Sequence, residues 1–131
     1  MEKPFEAIRI TGIDIDRCHA LAGSPNLQHL YLHLSDTPPS DWKAIFTREH
    51  SVPRGSVWRE AWIEGRSILI TSSLEEFEHY HLTYLKEDVH NTNEKYKLLI
   101  AQHAERDARR LQGKADEKRT LQELNNRLKF D

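Results

Sequence analysis

The sequence predicts an α+β protein with a mostly antiparallel four-stranded sheet, helices on one face of the sheet and a long C-terminal helix. Three observations predict this class. Four short segments before residue 72 have the character of strands, the first two with alternating apolar and polar side chains, and Gly or Pro lies between the segments. One helical apolar pattern lies between the second and third segments. After Pro53 no proline interrupts the chain, and helical apolar spacing continues almost to its end.

The first predicted strand covers residues 5–11. Ile8 and Ile10 alternate with polar or smaller residues, so they share one face of a strand. Gly12 ends this segment. A short helix over residues 16–22 is predicted next, because Asp14 or Asp16 can act as its N-cap and Gly23 follows it.

The second predicted strand covers residues 28–35, which read QHLYLHLS. Two sets of side chains alternate along it and must point to opposite faces of the sheet. One set is apolar and has an obvious destination in the core: Leu30, Leu32 and Leu34. The other set is aromatic and titratable: His29, Tyr31 and His33. Pro38 and Pro39 then end the strand, because proline cannot donate to a ladder.

A helix is predicted from Ser40, the expected N-cap, to about His50. Trp42, Ile45 and Phe46 lie at positions i, i+3 and i+4, so they form one apolar side of that helix. Strands over residues 57–64 and 66–71 follow and form a hairpin around Gly65.

The core layer of the sheet is predicted to contain the apolar set of the second strand together with Ile8, Ile10, Ile68 and Ile70. The opposite face would carry His29, Tyr31 and His33. Both sides of the third strand are partly apolar, so the pattern does not decide whether Trp58 and Trp62 join this face. Three uses of the face remain open: cover by a helix or a second subunit, contact with another protein, or stacking of nucleic-acid bases.

The C-terminal part of the chain starts with Ser72 or Ser73 as an N-cap and Glu75 and Glu76 in the first helical turn. Apolar residues then recur at 3-4 spacing. Gly113 is the only strong breaker, so the segment forms either one long helix or a helical hairpin that bends at Gly113. We predict the long helix, with residues 1–73 as the sheet core and residues 74–131 as a helical extension of the same domain.

Composition limits the classes of function. The formal net charge of −2 gives no global field for nucleic acid or an anionic membrane. Cys18 is the single cysteine, so no intrachain disulfide forms, which fits the cytoplasm. No apolar run reaches the length of a signal peptide or a membrane-spanning helix. We therefore expect a soluble cytoplasmic protein without membrane contact.

The sequence predicts a non-catalytic interaction or regulatory protein that acts as a homodimer or binds a partner protein. No nucleotide-binding, zinc or nucleophile motif occurs in it, so we predict no catalytic residue, metal or cofactor. The predicted partner contacts are the helical stripe and the aromatic residues of the sheet, namely Leu82, Leu85, Val89, Tyr96, Leu99, Leu111, Tyr31, Trp58 and Trp62.

Two alternatives belong to other functional classes. Residues 106–119 have six basic and three acidic side chains, and the expected phosphate contacts are Arg106, Arg109, Arg110 and Lys114. A metal-dependent enzyme would use Asp14 and Asp16, or Glu75 and His79, which are one helical turn apart. Each pair lacks the further ligands that such a site needs.

Overall fold

A computed structural model describes residues 4–130, except for the side chain of Pro25. The strands are β1 Ile10–Ile13, β2 His19–Leu21, β3 Ser24–Leu34, β4 Ala61–Glu64 and β5 Ser67–Ser72. The helices are α1 Ser40–His50, α2 Leu74–Glu76 and α3 Leu82–Arg127, with a π-helical turn, Phe77–His81, between α2 and α3. The predicted α+β class with an antiparallel sheet and a long C-terminal helix is confirmed.

The sheet has the order β1-β3-β5-β4, and β2 also pairs with β3. All pairings are antiparallel. β3 is the central strand, with β1 and β2 along one edge and β5 along the other. The register places Leu30 opposite Ile70 and Leu32 opposite Ile68. These aliphatic residues therefore lie on the same face of the sheet.

The sheet has five strands where the sequence predicted four. The segment predicted as a short helix over residues 16–22 contains β2, which pairs with the start of β3. Gly23, with φ of 80°, sits in the tight connection between the two strands. Backbone pairing with the long strand β3 overrides a local helix propensity that is only a weak preference.

The core lies on one face of the sheet, and the predicted core layer is confirmed. Side chains from β3 and β5 pack there against α1, the π-helical turn and the first turns of α3. The buried cluster consists of Ile8, Leu30, Leu32, Leu34, Trp42, Phe46, Ala61, Ile68, Ile70, Phe77, Leu85 and Val89. Ile10 is half-buried against it.

The first predicted strand is only partly formed, since β1 begins at Ile10. The backbone before it is held by a side chain instead of a ladder. The Ile8 N–H donates to Asn93 Oδ1 at 3.0 Å, and Asn93 Nδ2 donates to the Ile8 carbonyl at 2.8 Å. Trp42 Nε1 also donates to Asn93 Oδ1 at 2.9 Å. One buried amide thus joins α1, α3 and the segment preceding β1.

Helix α1 buries the predicted apolar side and ends at His50, as predicted. Its N-cap is Pro39, so Ser40 is the first helical residue and supplies no side-chain cap. At the next helical start, Ser73 is the N-cap and its Oγ accepts a hydrogen bond from the Glu76 N–H at 3.1 Å.

Helix α3 runs through Gly113, so the helical-hairpin alternative is wrong. A glycine inside a helix costs about 1 kcal/mol relative to alanine, which weakens a helix without ending it. By compactness the chain divides into two units, residues 1–96 and 97–131. The first unit contains the sheet and its core. The second contains the remainder of α3. The predicted division into residues 1–73 and 74–131 stays a prediction.

Candidate functional site

The sheet face opposite the core, here called the outer face, carries a row of apolar side chains. Tyr31 pairs with Leu69, and Leu69 pairs with Trp62, so the three residues lie side by side on adjacent strands. Trp62 is 42% exposed. The structure therefore brings together two of the predicted contact residues, Tyr31 and Trp62.

The loop that leads into β2 partly covers Tyr31. The Arg17 guanidinium carbon lies 4.2 Å from the centre of the Tyr31 ring, a cation–π distance. Arg17 Nη1 also donates to Ser67 Oγ at 3.3 Å. Cys18 Sγ accepts from the Tyr31 N–H at 3.3 Å, so this thiol has a structural contact. The loop makes Tyr31 half-buried.

The histidines of the outer face have partners within the face. His29 Nδ1 lies 2.8 Å from Thr71 Oγ1, and the His19 ring is 4.9 Å from the His29 ring. His33 Nε2 lies 3.9 Å from the carboxylate of Asp14. The histidines on the outer face of β3 therefore already have polar or ring contacts within their own chain.

Trp58 lies away from Tyr31 and Trp62. It precedes β4 and packs on the imidazole of His50 at the end of α1, with ring centres 5.2 Å apart. Its Nε1 donates to the His50 carbonyl at 3.1 Å. The structure thus gives Trp58 a role in fixing the loop between α1 and β4.

A buried ionic triad, formed by His50, Arg54 and Asp88, was missed by sequence reasoning. Asp88 is fully buried and uses both carboxylate oxygens. Oδ2 lies 2.9 Å from His50 Nδ1, and Oδ1 accepts from Arg54. His50 Nε2 lies 2.8 Å from the Arg59 carbonyl. Both ring nitrogens of His50 therefore have an oxygen atom within hydrogen-bond distance.

Arg54 extends this triad to the backbone of α3. It approaches the Tyr84 carbonyl at 3.4 Å, and its guanidinium lies 5.4 Å from the Tyr84 ring centre. The hydrogen bond to Asp88 raises the pKa of Arg54 above its ordinary value, so the guanidinium stays charged. The triad fastens the loop after α1 to α3.

A second buried histidine, His81, lies at the end of the π-helical turn. Burial lowers the pKa of His81, although Glu76, whose carboxylate is 3.5 Å from Nε2, opposes this. Arg59 Nε lies 3.4 Å from the same carboxylate. π-Helical turns are frequent at functional sites, but here the turn carries a histidine that burial keeps neutral and that faces the protein interior.

The predicted contact residues on α3 have two different environments. Leu85 and Val89 lie in the core of the first unit, and Leu82 and Tyr96 pack half-buried against it. Phe5 meets Tyr96 edge-to-face at 4.6 Å. These side chains already have partners in their own chain.

Beyond Tyr96 the helix carries apolar side chains that nothing in the second unit covers. Leu99 is half-buried, whereas Leu111 is 66% exposed. The large apolar side chains exposed on this part of the chain are Leu98, Ile100, Leu111, Leu121, Leu124, Leu128 and Phe130. Five of these side chains lie on α3 and two follow its end at Arg127, and together they mark a candidate contact surface.

The basic stretch over residues 106–119 lies on the same helix and is laced with local ion pairs. Arg109 pairs with Glu105, and Arg119 lies 2.7 Å from Asp116. Arg110 lies 3.9 Å from Asp107. Three of the arginines thus have carboxylate neighbours on their own helix. The predicted phosphate contacts Arg106 and Lys114 are exposed.

The predicted metal-ligand pairs stay separate pairs. Asp16, Glu75 and His79 are exposed, and Asp14 lies near His33. Among residues 4–130, no group of three or more His, Cys, Asp or Glu side chains is arranged to hold a metal ion. The described residues therefore offer at most two ligands at any one place.

Comparison with known proteins gives no further assignment. No protein-family model, curated protein or solved structure matched the chain. Within the described part of the chain, no helix combines the length and the apolar character needed to cross a bilayer.

Proposed function

We propose that the protein is a small non-catalytic interaction protein that self-associates through α3 beyond Tyr96. The observation that carries this proposal is the set of large apolar side chains exposed on that part of the helix. Most of the stability of protein helices comes from packing of an apolar face, and this face is uncovered in its own unit. We also propose a cytoplasmic location for the protein, as its single cysteine suggests.

The spacing of the exposed residues fits a coiled coil. Ile100, Leu121 and Leu128 occupy d positions of one heptad register, and Leu111 occupies an a position together with the smaller Ala104. Polar residues interrupt the register at other a and d positions. Such interruptions lower stability but select the alignment of the two helices.

The charged residues at a and d positions favour a second copy of the chain, in antiparallel orientation, as the partner of this part of α3. An antiparallel alignment centred between residues 112 and 113 places Asp107 opposite Lys118 of the other copy, and Lys118 opposite Asp107. A parallel in-register alignment would place Asp107 and Lys118 each opposite its own copy, which is repulsive. Charge complementarity therefore supports a dimer of opposed helices.

The size of the contact predicts a moderate affinity. Residues 97–127 span roughly 46 Å, and a helix is about 10 Å wide, so lengthwise pairing covers roughly 450 Å² on each copy. The total of about 900 Å² lies at the low end for a specific interface. We therefore expect association that depends on protein concentration, not an obligate dimer.

The test is the solution mass of the full chain by sedimentation at several concentrations. We expect a monomer–dimer equilibrium that is abolished by the double substitution Leu111→Lys and Leu121→Lys, because the antiparallel alignment places residue 111 opposite Lys114 and residue 121 opposite Ala104 of the other copy. Leu98→Lys is the matched control, because Leu98 is equally exposed on the same helix but lies outside the a and d positions. A wild-type chain that stays monomeric at millimolar concentration overturns the proposal, and so does equal loss of dimer in both variants.

Orientation is tested by a charge exchange. Asp107→Lys alone and Lys118→Asp alone should each weaken the dimer, and the double variant should restore it, because the opposite charges then meet again across an antiparallel pair. A double variant weaker than either single variant contradicts the antiparallel alignment.

Nucleic-acid association is a second candidate, and charge distribution is the observation that favours it. Residues 97–131 contain nine Lys and Arg against six Asp and Glu, although the whole chain has a net charge of −2. Binding to a labelled duplex should then weaken steeply with salt and be lost in an Arg109→Glu, Arg110→Glu variant. Affinity without a salt slope contradicts this candidate.

A further inference from the structure

A groove runs beside the edge strand β1 in the first unit. Strand β1 pairs with β3 on one side only, so its other edge faces away from the sheet. Two clefts of about 360 and 220 Å³ lie between this edge, the residues just before it and the first turns of α3. Both clefts are lined by Ile10 and Lys86, so they adjoin each other at these two residues, and together they are called the groove here.

The floor of the groove is apolar. Ile8 and Val89 line one cleft, and Leu32, Phe77 and Leu82 line the other. At the far end of β1, Ile13 is 46% exposed. An edge strand presents N–H and C=O groups with which another strand can pair, and a bulge or a charged side chain restricts this pairing to a short stretch or to a selected partner.

The rim of the groove is basic. Arg9, Lys86 and His90 line it, and none of the Asp or Glu residues in the described chain is among the lining residues. This contrasts with the unit as a whole, where residues 1–96 contain fifteen Asp and Glu against ten Lys and Arg. A cationic groove on an acidic unit selects an anionic occupant by charge complementarity.

We propose that this groove binds an extended segment of another protein, with alternating aliphatic and acidic residues, as an additional strand beside β1. Peptide strands bind sheet edges through main-chain hydrogen bonds, and pockets for alternate side chains provide specificity. Here the aliphatic side chains enter the groove floor, and the carboxylates meet Lys86 and Arg9 at the rim. All lining residues belong to the first unit, so the site is independent of self-association through α3.

The register of β1 limits how the added strand can lie. The pairing of β1 with β3 shifts between Ile10 and Gly12, and such irregularities increase local twist. An added strand therefore pairs with one short stretch of the edge, beside the cleft that Lys86 shares. A short segment with few main-chain bonds gives weak, salt-sensitive binding, for which charge is an important part of the selection.

The test is an NMR titration of the full-length chain with three capped synthetic peptides. The first peptide alternates valine and isoleucine with glutamate. The second replaces glutamate with lysine. The third has the first sequence with alternate backbone nitrogens methylated, which removes the hydrogen-bond donors of a strand. We expect the first peptide alone to shift the amide signals of residues 10–13 and of α3 around Lys86.

Protein variants separate the charge contribution from the backbone contribution. Lys86→Glu should raise the dissociation constant of the glutamate peptide by about fivefold or more. The control is Arg48→Glu, which reverses a charge at an exposed position of α1 outside the groove. This variant should leave the dissociation constant of the glutamate peptide unchanged. Amide hydrogen exchange of Ile10–Ile13 should slow when the glutamate peptide binds.

Three results overturn the proposal. One is the absence of shifts at millimolar glutamate peptide. Another is equal binding of the lysine or methylated peptide. The third is displacement of the peptide by decanoate at lower concentration than the peptide itself requires, which would make the groove a site for an anionic amphiphile.

Discussion

Among side chains of similar size in the first unit, Asp88 should be the one whose removal lowers the free energy of unfolding most. It is fully buried, and its two carboxylate oxygens bind His50 and Arg54. The substitution Asp88→Ala leaves both groups without their anionic partner. Arg54 is partly exposed and can recover water, whereas His50 is almost fully buried and cannot.

The magnitude follows from these two environments. Breaking a buried ion pair by removing one partner typically costs about 3–5 kcal/mol. Because the guanidinium of Arg54 can be rehydrated, we expect the cost to lie at the lower end, about 3–4 kcal/mol of unfolding free energy. The loop after α1 should also lose order, since Arg54 and Trp58 attach it to this cluster.

Asp88→Asn provides the discriminating comparison. The amide oxygen still accepts from Arg54, and the amide nitrogen can donate to Nδ1 of a neutral His50 whose proton is on Nε2. All hydrogen bonds then survive and only the charge is lost, so the expected cost is about 1–2 kcal/mol.

The assay is urea unfolding followed by tryptophan fluorescence, with the free energy taken from the midpoint and slope. Lys86→Ala is the matched control, because Lys86 is exposed on α3 two residues before Asp88, and it should change the free energy by less than about 0.5 kcal/mol. The reasoning is refuted if Asp88→Ala costs no more than this control, or if the alanine and asparagine variants cost the same.

Three further predictions concern other positions. Asn93→Ala should cost about 2–4 kcal/mol and speed amide exchange at Ile8, because it leaves the Trp42 indole N–H and both backbone groups of Ile8 unpaired. Burial lowers the pKa of His81 below its ordinary value of 6.5, so the unfolded chain binds more protons at this residue than the folded chain does. The free energy of unfolding therefore falls as the pH drops below about 6.5. His81→Gln should remove the contribution of this residue to the change in urea midpoint between about pH 7.5 and pH 5.5. Gly113→Ala should raise the helicity of α3 by circular dichroism and stabilise the helix by about 0.5–1 kcal/mol, since nothing lies within 4 Å of an added Cβ; unchanged or lower helicity contradicts it.

The core was predictable from local patterns because burial imposes a period on the sequence. Leu30 and Leu32 alternate along β3, and Trp42 and Phe46 recur along α1, and all four are buried as the periods require. These patterns are strong because each element has one solvated and one buried side.

The strand β2 and the position of Trp58 could not be predicted from the local sequence pattern. β2 is only three residues long, and its pairing with β3 is a long-range backbone interaction that leaves no period in the sequence. Trp58 precedes β4, so the alternation that relates Trp62 to its neighbours in the strand does not extend to it. It packs instead on His50, at the end of another element.

The buried triad did leave a signal in the sequence. Asp88 directly precedes Val89 and follows Leu85 by three residues, so it falls within the apolar side of α3. An acidic residue at such a position is rarely buried without a partner. Its partner His50 is the last residue of α1, and Arg54 lies in the loop that follows. The sequence could therefore indicate that the charge of Asp88 is buried, but not which residues compensate it.

The apolar pattern of α3 also contains a break close to the point where the first compact unit ends. Leu85, Thr92 and Leu99 follow one seven-residue register, whereas Ile100, Leu121 and Leu128 follow a register shifted by one residue. The shift falls next to the boundary between the two compact units at residues 96 and 97. Before it, the sheet of the same chain sets which side of the helix must be apolar. After it, no element of the second unit imposes that requirement, yet aliphatic residues still recur at heptad positions. This repeat, which has no partner within its own unit, is the feature on which the proposed self-association of α3 rests.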